Sequence, residues 1–292
     1  MSLRLSLTQK RIVEHGDGPL LVVAGPGAGK TRVVTERIRR LLTETNEHFR
    51  VLALTFTNKA ANEMKERLAE FPDIEQRAFI GTLHSFCMEV LANRGKAVGI
   101  DSLPPIFERN LDRAQILYQA AIADPALQSQ LVQRNSKEQE KLIQSWLDMI
   151  GNAKNNLQLP EMLDEIPRKI YEAYDSGLRA SGALDFDDLL LLTYRLFEER
   201  PKIADFYRRL YRYICVDEAQ DLNYAQYKLL RALCGDNYRN VMMVGDPKQA
   251  IFGFNGASPK YLEFFERDFK AFRILINENF RSSQAVVQAT KA

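Results

Sequence analysis

The feature that most constrains the fold of this chain is one glycine-rich segment: Ala24-Gly25-Pro26-Gly27-Ala28-Gly29-Lys30-Thr31. The apolar run Leu20-Leu21-Val22-Val23 before it predicts a strand, and the pattern from Arg32 to Leu42 predicts a helix. Strand, glycine-rich turn and helix N-terminus together are typical of a phosphate-binding loop, because backbone N–H groups then face the anion. We expect Lys30 to reach the β- and γ-phosphates and the Thr31 hydroxyl to ligate Mg²⁺. Alanine at position 24, where glycine is usual, makes this the relaxed form of the motif.

An acidic pair supports this interpretation. Asp217 and Glu218 directly follow the apolar run Tyr213-Ile214-Cys215-Val216, which predicts another strand. Such a pair is common after strands, but beside a phosphate loop it has a specific use. We expect Asp217 to hold Mg²⁺ through water and Glu218 to accept a proton from the attacking water.

Further apolar runs predict an α/β fold with a parallel sheet whose strands are buried on both faces. They begin near Leu20, Val51, Ala78, Ile214, Val241 and Phe272. Residues 93–183 differ, because they carry helical patterns interrupted at Pro104-Pro105, Pro125, Pro160 and Pro167. Trp146 is predicted to anchor the core of this segment, and Asp185 to cap the helix that follows. We expect the segment to be an all-helical insert in the α/β domain.

Composition excludes several classes of protein. Of the 292 residues, 27% are charged and 46% are apolar, which is typical of a soluble globular chain. A net charge of +2 is too small to argue for nucleic acid, so a DNA-binding face would have to be local. Cys87, Cys215 and Cys234 form no CxxC pair, which predicts a reduced, cytoplasmic protein without structural zinc. We see no membrane span and no signal peptide.

Three side chains leave alternatives open when each is considered alone. The amide of Gln9 suits the edge of adenine, which needs a donor and an acceptor, but a solvated surface residue is the simpler interpretation. Phe56 follows a predicted strand and is either a core aromatic or an exposed stacking platform. His84 is more often a hydrogen-bonded structural histidine than a catalyst.

Five segments taken together resemble one family. They are TFTNKAA (residues 55–61), GTLHSF (81–86), VDEAQD (216–221), GDPKQAIFGFNGA (245–257) and NFRSS (279–283). With the phosphate loop, they make nearly the whole chain similar to the N-terminal motor half of the UvrD/Rep/PcrA-type superfamily-one DNA helicases. The resemblance implies a RecA-like ATP-binding domain formed by residues 1–92 and 184–292, with a helical insert domain at 93–183. It also implies ATP and Mg²⁺ as cofactors, and ATP-dependent 3′→5′ unwinding of DNA.

The resemblance assigns roles around the nucleotide. Gln9 would read adenine and Phe280 would stack on it, while Lys30, Thr31 and the nearby Arg32 would serve the phosphates and Mg²⁺. Gln249 would sense the γ-phosphate and relay its state to the DNA groove. Arg281 would contact the γ-phosphate and stabilise charge in the transition state.

The resemblance also implies a face for single-stranded DNA and for junctions of single and double strands. Bases would stack on Phe56, Phe252 and Phe254, and the DNA backbone would contact Thr57, Asn58, Thr82 and His84. Stacking combined with phosphate contact tolerates any sequence, which suits a translocating motor. Asn255 stands where the family usually has arginine, which puts one contact of that motif in doubt.

The family's second motor domain has no counterpart here, so we expect the chain to be a fragment that hydrolyses ATP poorly by itself. Two other functions are alternatives to a helicase. A nucleotide-gated DNA-binding module without motor activity would also be compatible with the short length and with Asn255. A small-molecule kinase would leave the DNA-groove motifs unexplained.

Overall fold

The fold is built on a parallel sheet, and the computed structural model describes residues 5–44, 49–250 and 256–280. The strands in that part of the chain are β1 Leu20–Ala24, β2 Arg50–Thr55, β3 Ala78–Thr82, β4 Ile106–Phe107, β5 Leu184–Asp185, β6 Tyr211–Val216, β7 Val241–Gly245 and β8 Phe272–Ile276. The α-helices are α1 Leu7–Val13, α2 Lys30–Glu44, α3 Asn58–Arg67, α4 Ile74–Arg77, α5 Leu83–Arg94, α6 Asn110–Ala123, α7 Pro125–Val132, α8 Ser136–Asn155, α9 Glu165–Ala180, α10 Phe186–Glu199, α11 Pro201–Leu210, α12 Tyr224–Cys234 and α13 Lys260–Phe269. Short 3₁₀ turns cover Gly95–Val98, Pro160–Met162 and Ala219–Asp221.

The chain divides into two compact units. The first, called the sheet unit here, comprises Met1–Phe86, Ala204–Asn223 and Leu230–Ala292. The second, the helical unit, comprises Cys87–Ile203 and Tyr224–Leu229. The helical unit therefore extends beyond the predicted insert of residues 93–183 at both ends.

The sheet unit contains six parallel strands in the order β3-β2-β6-β7-β1-β8. All six strands predicted from apolar runs are confirmed, because long apolar runs can be buried on both faces of a parallel sheet. The exception to burial is β8, where the side chains of Phe272 and Leu275 are about half exposed. This strand lies at the edge of the sheet and pairs only with β1 among the described residues, so one side lacks a covering neighbour.

The helical unit has its own core, in which Trp146 packs with Leu147, Ile150 and Tyr174. The prediction that residues 93–183 are entirely helical is wrong at β4, which lies within that segment and pairs in parallel with β5. The predicted helix break at Pro167 is wrong. Pro167 lies in the first turn of α9, where the backbone N–H groups have no partner within the helix, so proline removes nothing.

A buried ionic cluster joins the helices of the helical unit. The ammonium of Lys154 in α8 lies 2.9 Å from Asp185 Oδ2, 2.7 Å from Asp188 Oδ1 and 3.5 Å from Asp175 Oδ1. Asp185 caps α10 as predicted, because its side chain accepts the amide of Asp188 and the reciprocal bond forms a capping box. Arg113 of α6 adds a second cation, 3.8 Å from Asp185 Oδ2. These bonds place β5 and α10 with α8 and α9, which explains why the unit continues past residue 183.

Within residues 5–44, 49–250 and 256–280, no helix is both long and apolar enough to cross a membrane.

Candidate functional site

The candidate site lies at the carboxyl edge of the parallel sheet. Strands β6, β7 and β1 are neighbours in the sheet, so the segments that follow them meet at one edge. The phosphate loop follows β1, Asp217 follows β6, and Asp246 follows β7. Ligands of open α/β sheets bind in this position. The topology thus unites segments more than 200 residues apart in sequence.

The phosphate loop has the backbone that its glycines predict. Gly27 and Gly29 have φ angles of 75° and 82°, a region that other residues rarely occupy. A Cβ at Gly29 would also lie only 3.0 Å from the Gln9 Nε2 atom. Ala24 is the last residue of β1 and is buried in the core, which accounts for a side chain at the first position of the motif.

Lys30, the first residue of α2, is shared by two partners. Its ammonium donates to the Gln249 Oε1 atom at 2.9 Å and lies 3.7 Å from Glu218 Oε2. Only 8% of Lys30 is exposed. Its positive charge therefore acts mainly on groups at the open side of the phosphate loop. A positive charge at a helix N-terminus is a binding site for an anion. Lys30 and Gln249, both predicted to contact the γ-phosphate, therefore lie close to Glu218, the predicted general base.

Asp217 fits the role of a cation ligand. Its Oδ1 atom accepts the amide of Glu218 at 3.0 Å, while Oδ2 is buried without a hydrogen-bond partner in the described part of the chain. Burial and the nearby Glu218 carboxylate raise the pKa of Asp217 to about 6, against the effects of the Thr31 hydroxyl and the Lys30 ammonium. A buried carboxylate oxygen with a free lone pair, next to a hydroxyl, suits Mg²⁺. Asp217 and Thr31 thus fit the predicted metal site.

Glu218 adopts an unusual backbone conformation. Its φ and ψ angles are 51° and 41°, in the left-handed region, which costs a non-glycine residue about 1 kcal/mol. Its carbonyl accepts the amide of Asp221 at 3.0 Å, which helps to stabilise this turn. The carboxylate is only partly buried and points toward Lys30. A strained, accessible acid beside a phosphate site is a reasonable general base.

The predicted adenine side is also assembled against the phosphate loop. Gln9 is 1% exposed, and its Nε2 atom donates to the Ala28 carbonyl at 3.0 Å. Its Oε1 atom accepts the amide of Ser6, so Gln9 also completes the capping box of α1. One N–H donor of Nε2 and one lone pair of Oε1 are left for a ligand. Phe280 donates its amide to the Gly27 carbonyl at 2.9 Å, and its ring is 58% exposed.

A buried arginine fixes the position of α1. Arg37 of α2 is 3% exposed and donates to four carbonyl oxygens at the end of α1: those of Ile12, Val13, His15 and Gly16. Because the last carbonyls of a helix lack partners within it, a cation there is stabilising. The phosphate-loop helix thereby holds the helix that carries Gln9. Sequence reasoning did not identify Arg37.

Sequence reasoning also missed three residues next to Glu218. Gln220 is buried, and its Nε2 atom donates to Glu218 Oε2 at 2.9 Å. Its Oε1 atom accepts the amide of Asp246 at 3.0 Å. Gly245 lies against it. The signal was the VDEAQD and GDPKQ segments themselves, in which only Asp217, Glu218 and Gln249 have predicted roles.

The predicted DNA contacts among the described residues lie at the carboxyl ends of β2 and β3, which are paired with Thr55 opposite Thr82. Phe56 is half-buried, and Thr57 and Asn58 are exposed. The hydroxyls of Thr57 and Thr82 accept the amides of Ala60 and Ser85, so both threonines also cap helices.

His84 is half-buried, and burial lowers its pKa to about 4. The imidazole is therefore neutral at pH 7, and any contact with a phosphate would be a neutral hydrogen bond. Arg32 is half-buried in the first turn of α2. The predicted contacts Phe252, Phe254 and Arg281, and the departure at Asn255, lie outside the described residues.

Comparison with known proteins points to one family. The profile of the UvrD/REP helicase N-terminal domain matches residues 5–270. The ATP-dependent DNA helicase PcrA of Leuconostoc citreum is 35% identical over 97% of this chain and 38% of its own length. The PcrA proteins of Staphylococcus aureus (strain Mu50) and Bacillus subtilis (strain 168) are each 36% identical over 98% of this chain. Those matches cover 39% and 38% of the relatives, so the chain spans less than two fifths of their length.

Proposed function

The chain belongs to the UvrD/REP helicase N-terminal domain family, and from this premise we propose that it is the ATP- and DNA-binding half of a DNA helicase. The observation that carries the proposal is the position of Lys30, which lies at a helix N-terminus between Gln249 and Glu218 and near the open oxygen of Asp217. The whole protein would couple ATP hydrolysis to 3′→5′ movement along single-stranded DNA. Strand separation would also need the part of the helicase that the relatives have outside the matched segment.

The residues divide the work of hydrolysis. Lys30 binds the γ-phosphate and releases Gln249, because a hydrogen bond from the ammonium to an anionic phosphate is stronger than one to a neutral amide. Asp217 and Thr31 hold Mg²⁺, which supplies positive charge to the phosphates when bound. Glu218 accepts the proton of the attacking water. Gln249, once released by Lys30, contacts the γ-phosphate. Gln9 and Phe280 hold adenine by hydrogen bonding and stacking.

Single-stranded DNA would lie across the ends of β2 and β3. Phe56 would stack on a base, and the N-termini of α3 and α5, capped by Thr57 and Thr82, would face the backbone phosphates. Asn58 and His84 would add neutral hydrogen bonds. Junctions of single and double strands would bind at the same face.

Replacing Lys30 with alanine tests the nucleotide site. We expect the affinity for Mg²⁺·ATP to fall about 10- to 150-fold, because a hydrogen bond to a charged group contributes about 1.5–3 kcal/mol. Titration of the purified 292-residue chain with a fluorescent ATP analogue measures this. Lys65→Ala, an exposed lysine of α3, is the control and should bind as the unchanged chain does. Equal affinities of Lys30→Ala and the control would refute the proposed nucleotide site.

Replacing Phe56 with alanine tests the DNA face. A base stacked on an aromatic ring contributes about 1–3 kcal/mol, so we expect single-stranded DNA to bind about tenfold more weakly or worse. Fluorescence anisotropy of a labelled oligothymidylate measures the affinity. Phe206→Ala removes an exposed ring of α11 and should leave DNA binding unchanged. A lower melting temperature of Phe56→Ala with unaltered DNA affinity would instead show that Phe56 is a core residue.

A further inference from the structure

A closed ring of contacts surrounds the place proposed for the γ-phosphate. Lys30 contacts Gln249 and Glu218, and Gln220 contacts Glu218 and the amide of Asp246. The ring is completed by the turn from residue 246 to 249, in which the Gln249 amide donates to the Asp246 carbonyl at 2.9 Å. The Asp246 Oδ1 atom also accepts the Lys248 amide, which stiffens this turn.

A phosphate arriving at Lys30 would break only part of this ring. The bond from Lys30 to Gln249 and the approach of Lys30 to Glu218 both compete with the phosphate for the same ammonium. The bonds that join Gln220 to Glu218 and to the Asp246 amide do not involve Lys30 and can persist. After phosphate binding, Gln220 is therefore the link that still joins the Gln249 turn to Glu218.

The chemistry at position 220 is specific to an amide. The Nε2 group of Gln220 faces two carboxylates, with Glu218 Oε2 at 2.9 Å and Asp221 Oδ2 at 3.1 Å. Its Oε1 atom faces a backbone N–H donor. A carboxylate would repel the first two groups, and an apolar side chain would leave buried polar atoms unsatisfied. Only a group with a donor at one side and an acceptor at the other satisfies all three.

The neighbouring strand is shaped to admit this amide. A Cβ on Gly245 would lie 2.9 Å from the Gln220 Oε1 atom and 3.1 Å from the Gln220 amide nitrogen. The same Cβ would lie 3.2 Å from Leu262 Cδ1, so it would be too close to both Gln220 and Leu262. Glycine at the end of β7 is thus required for the close approach of Gln220.

We propose that Gln220 is a positioning residue that couples the turn bearing Gln249 to the carboxylate of Glu218. The inference rests on the proposed function, since it assumes that ATP occupies the site beside Lys30. Gln220 holds the amide of Asp246, where the turn begins, so that Gln249 contacts the γ-phosphate. Gln220 also orients Glu218 Oε2 toward the γ-phosphate. Gln220 itself does not touch the nucleotide.

The test compares affinities for ATP and ADP in the 292-residue chain, with fluorescent analogues and Mg²⁺. In Gln220→Met the turn loses its anchor, so Gln249 no longer meets the γ-phosphate. We expect the preference for ATP over ADP to fall about tenfold while the ADP affinity stays within about twofold, as for the loss of one hydrogen bond to a charged group. A general loss of stability would weaken both nucleotides alike. Gln76→Met, at an exposed position, is the matched control.

Two further variants keep the test decisive if methionine disturbs folding. Gln220→Asn retains the amide but is one methylene too short to span Glu218 and Asp246 together. Gly245→Ala displaces the Gln220 side chain without altering it. Both variants should lower the preference for ATP over ADP, as Gln220→Met does. If folded Gln220 variants keep the original preference, the proposed coupling is wrong. Unchanged ATP binding in Lys30→Ala would instead refute the proposed nucleotide site itself, so the two failures are distinguishable.

Discussion

Glu218→Gln should bind Mg²⁺·ATP almost as the unchanged chain does, and should hydrolyse it about 100- to 10,000-fold more slowly. General-base catalysis contributes a factor of this size, and an amide of the same shape cannot accept the proton of the attacking water. We expect binding to be retained because Lys30 and the loop N–H groups would still hold the phosphates, and Thr31 would still ligate Mg²⁺. The amide can also keep a contact with Gln220, so the local turn is preserved.

The measurement is single-turnover hydrolysis of labelled ATP with protein in excess, followed for hours, so that slow turnover by the chain alone is still recorded. Affinity is determined separately with a fluorescent analogue. Glu263→Gln changes an exposed carboxylate of α13 and serves as the control. Hydrolysis by Glu218→Gln within about threefold of the control would show that Glu218 is not the general base.

Lys154→Met should lower the free energy of unfolding by about 3–5 kcal/mol at pH 8, because it removes the central cation of a buried cluster and leaves carboxylates unpaired. Lys154 has no exposed side-chain surface, and its ammonium also lies 5.1 Å from the centre of the Tyr174 ring. Although burial acts to lower it, the carboxylates of Asp188, Asp185 and Asp175 hold the pKa of Lys154 well above its ordinary value. The charge is thus retained and paired.

Dependence on pH distinguishes lost charge from lost packing. Burial already raises the pKa of Asp188 to about 7, and without Lys154 the cluster keeps the charges of Arg113 and of Arg179, which acts on Asp175. An acid whose pKa is higher in the folded than in the unfolded state becomes destabilising as pH rises. The difference in the free energy of unfolding between Lys154→Met and the unchanged chain should therefore be larger at pH 8 than at pH 5.

Urea unfolding followed by tryptophan fluorescence measures this, because the chain has one tryptophan and Trp146 is buried in the same unit. Lys169→Met removes an exposed ammonium that pairs with Glu165, and it should change stability little. A loss for Lys154→Met below about 1 kcal/mol, or an equal loss at both pH values, would contradict the role given to the cluster.

The features predicted correctly from the sequence are those set by neighbours in the chain. Apolar runs located the six strands of the main sheet, because burial on both faces of a parallel sheet demands continuous apolar residues. Glycines marked the left-handed positions of the phosphate loop, where a Cβ is disfavoured. Asp185 was recognised as a helix cap because the capping bond spans only three residues.

Errors arose where position within an element or a sheet mattered. A proline pattern predicts a helix break at Pro167, but a proline in the first turn removes no helical hydrogen bond. Burial of β8 was overestimated because a run of apolar letters does not distinguish a central strand from an edge strand. The pairing of β4 with β5 joins residues nearly eighty positions apart, with only two residues in each strand to signal it.

Local patterns were enough to establish the α/β class, the phosphate loop with Lys30 and the acidic pair after β6, because each depends on a few neighbouring residues. The folded arrangement was needed to establish that Lys30 donates to Gln249, a residue 219 positions away, and that Gln220 joins Glu218 to Asp246. It also decided that Lys154 has three carboxylates around it. Hydrogen bonds and ion pairs of this kind depend on distances of about 3 Å between distant segments, which the order of strands in the sheet and the packing of helices set.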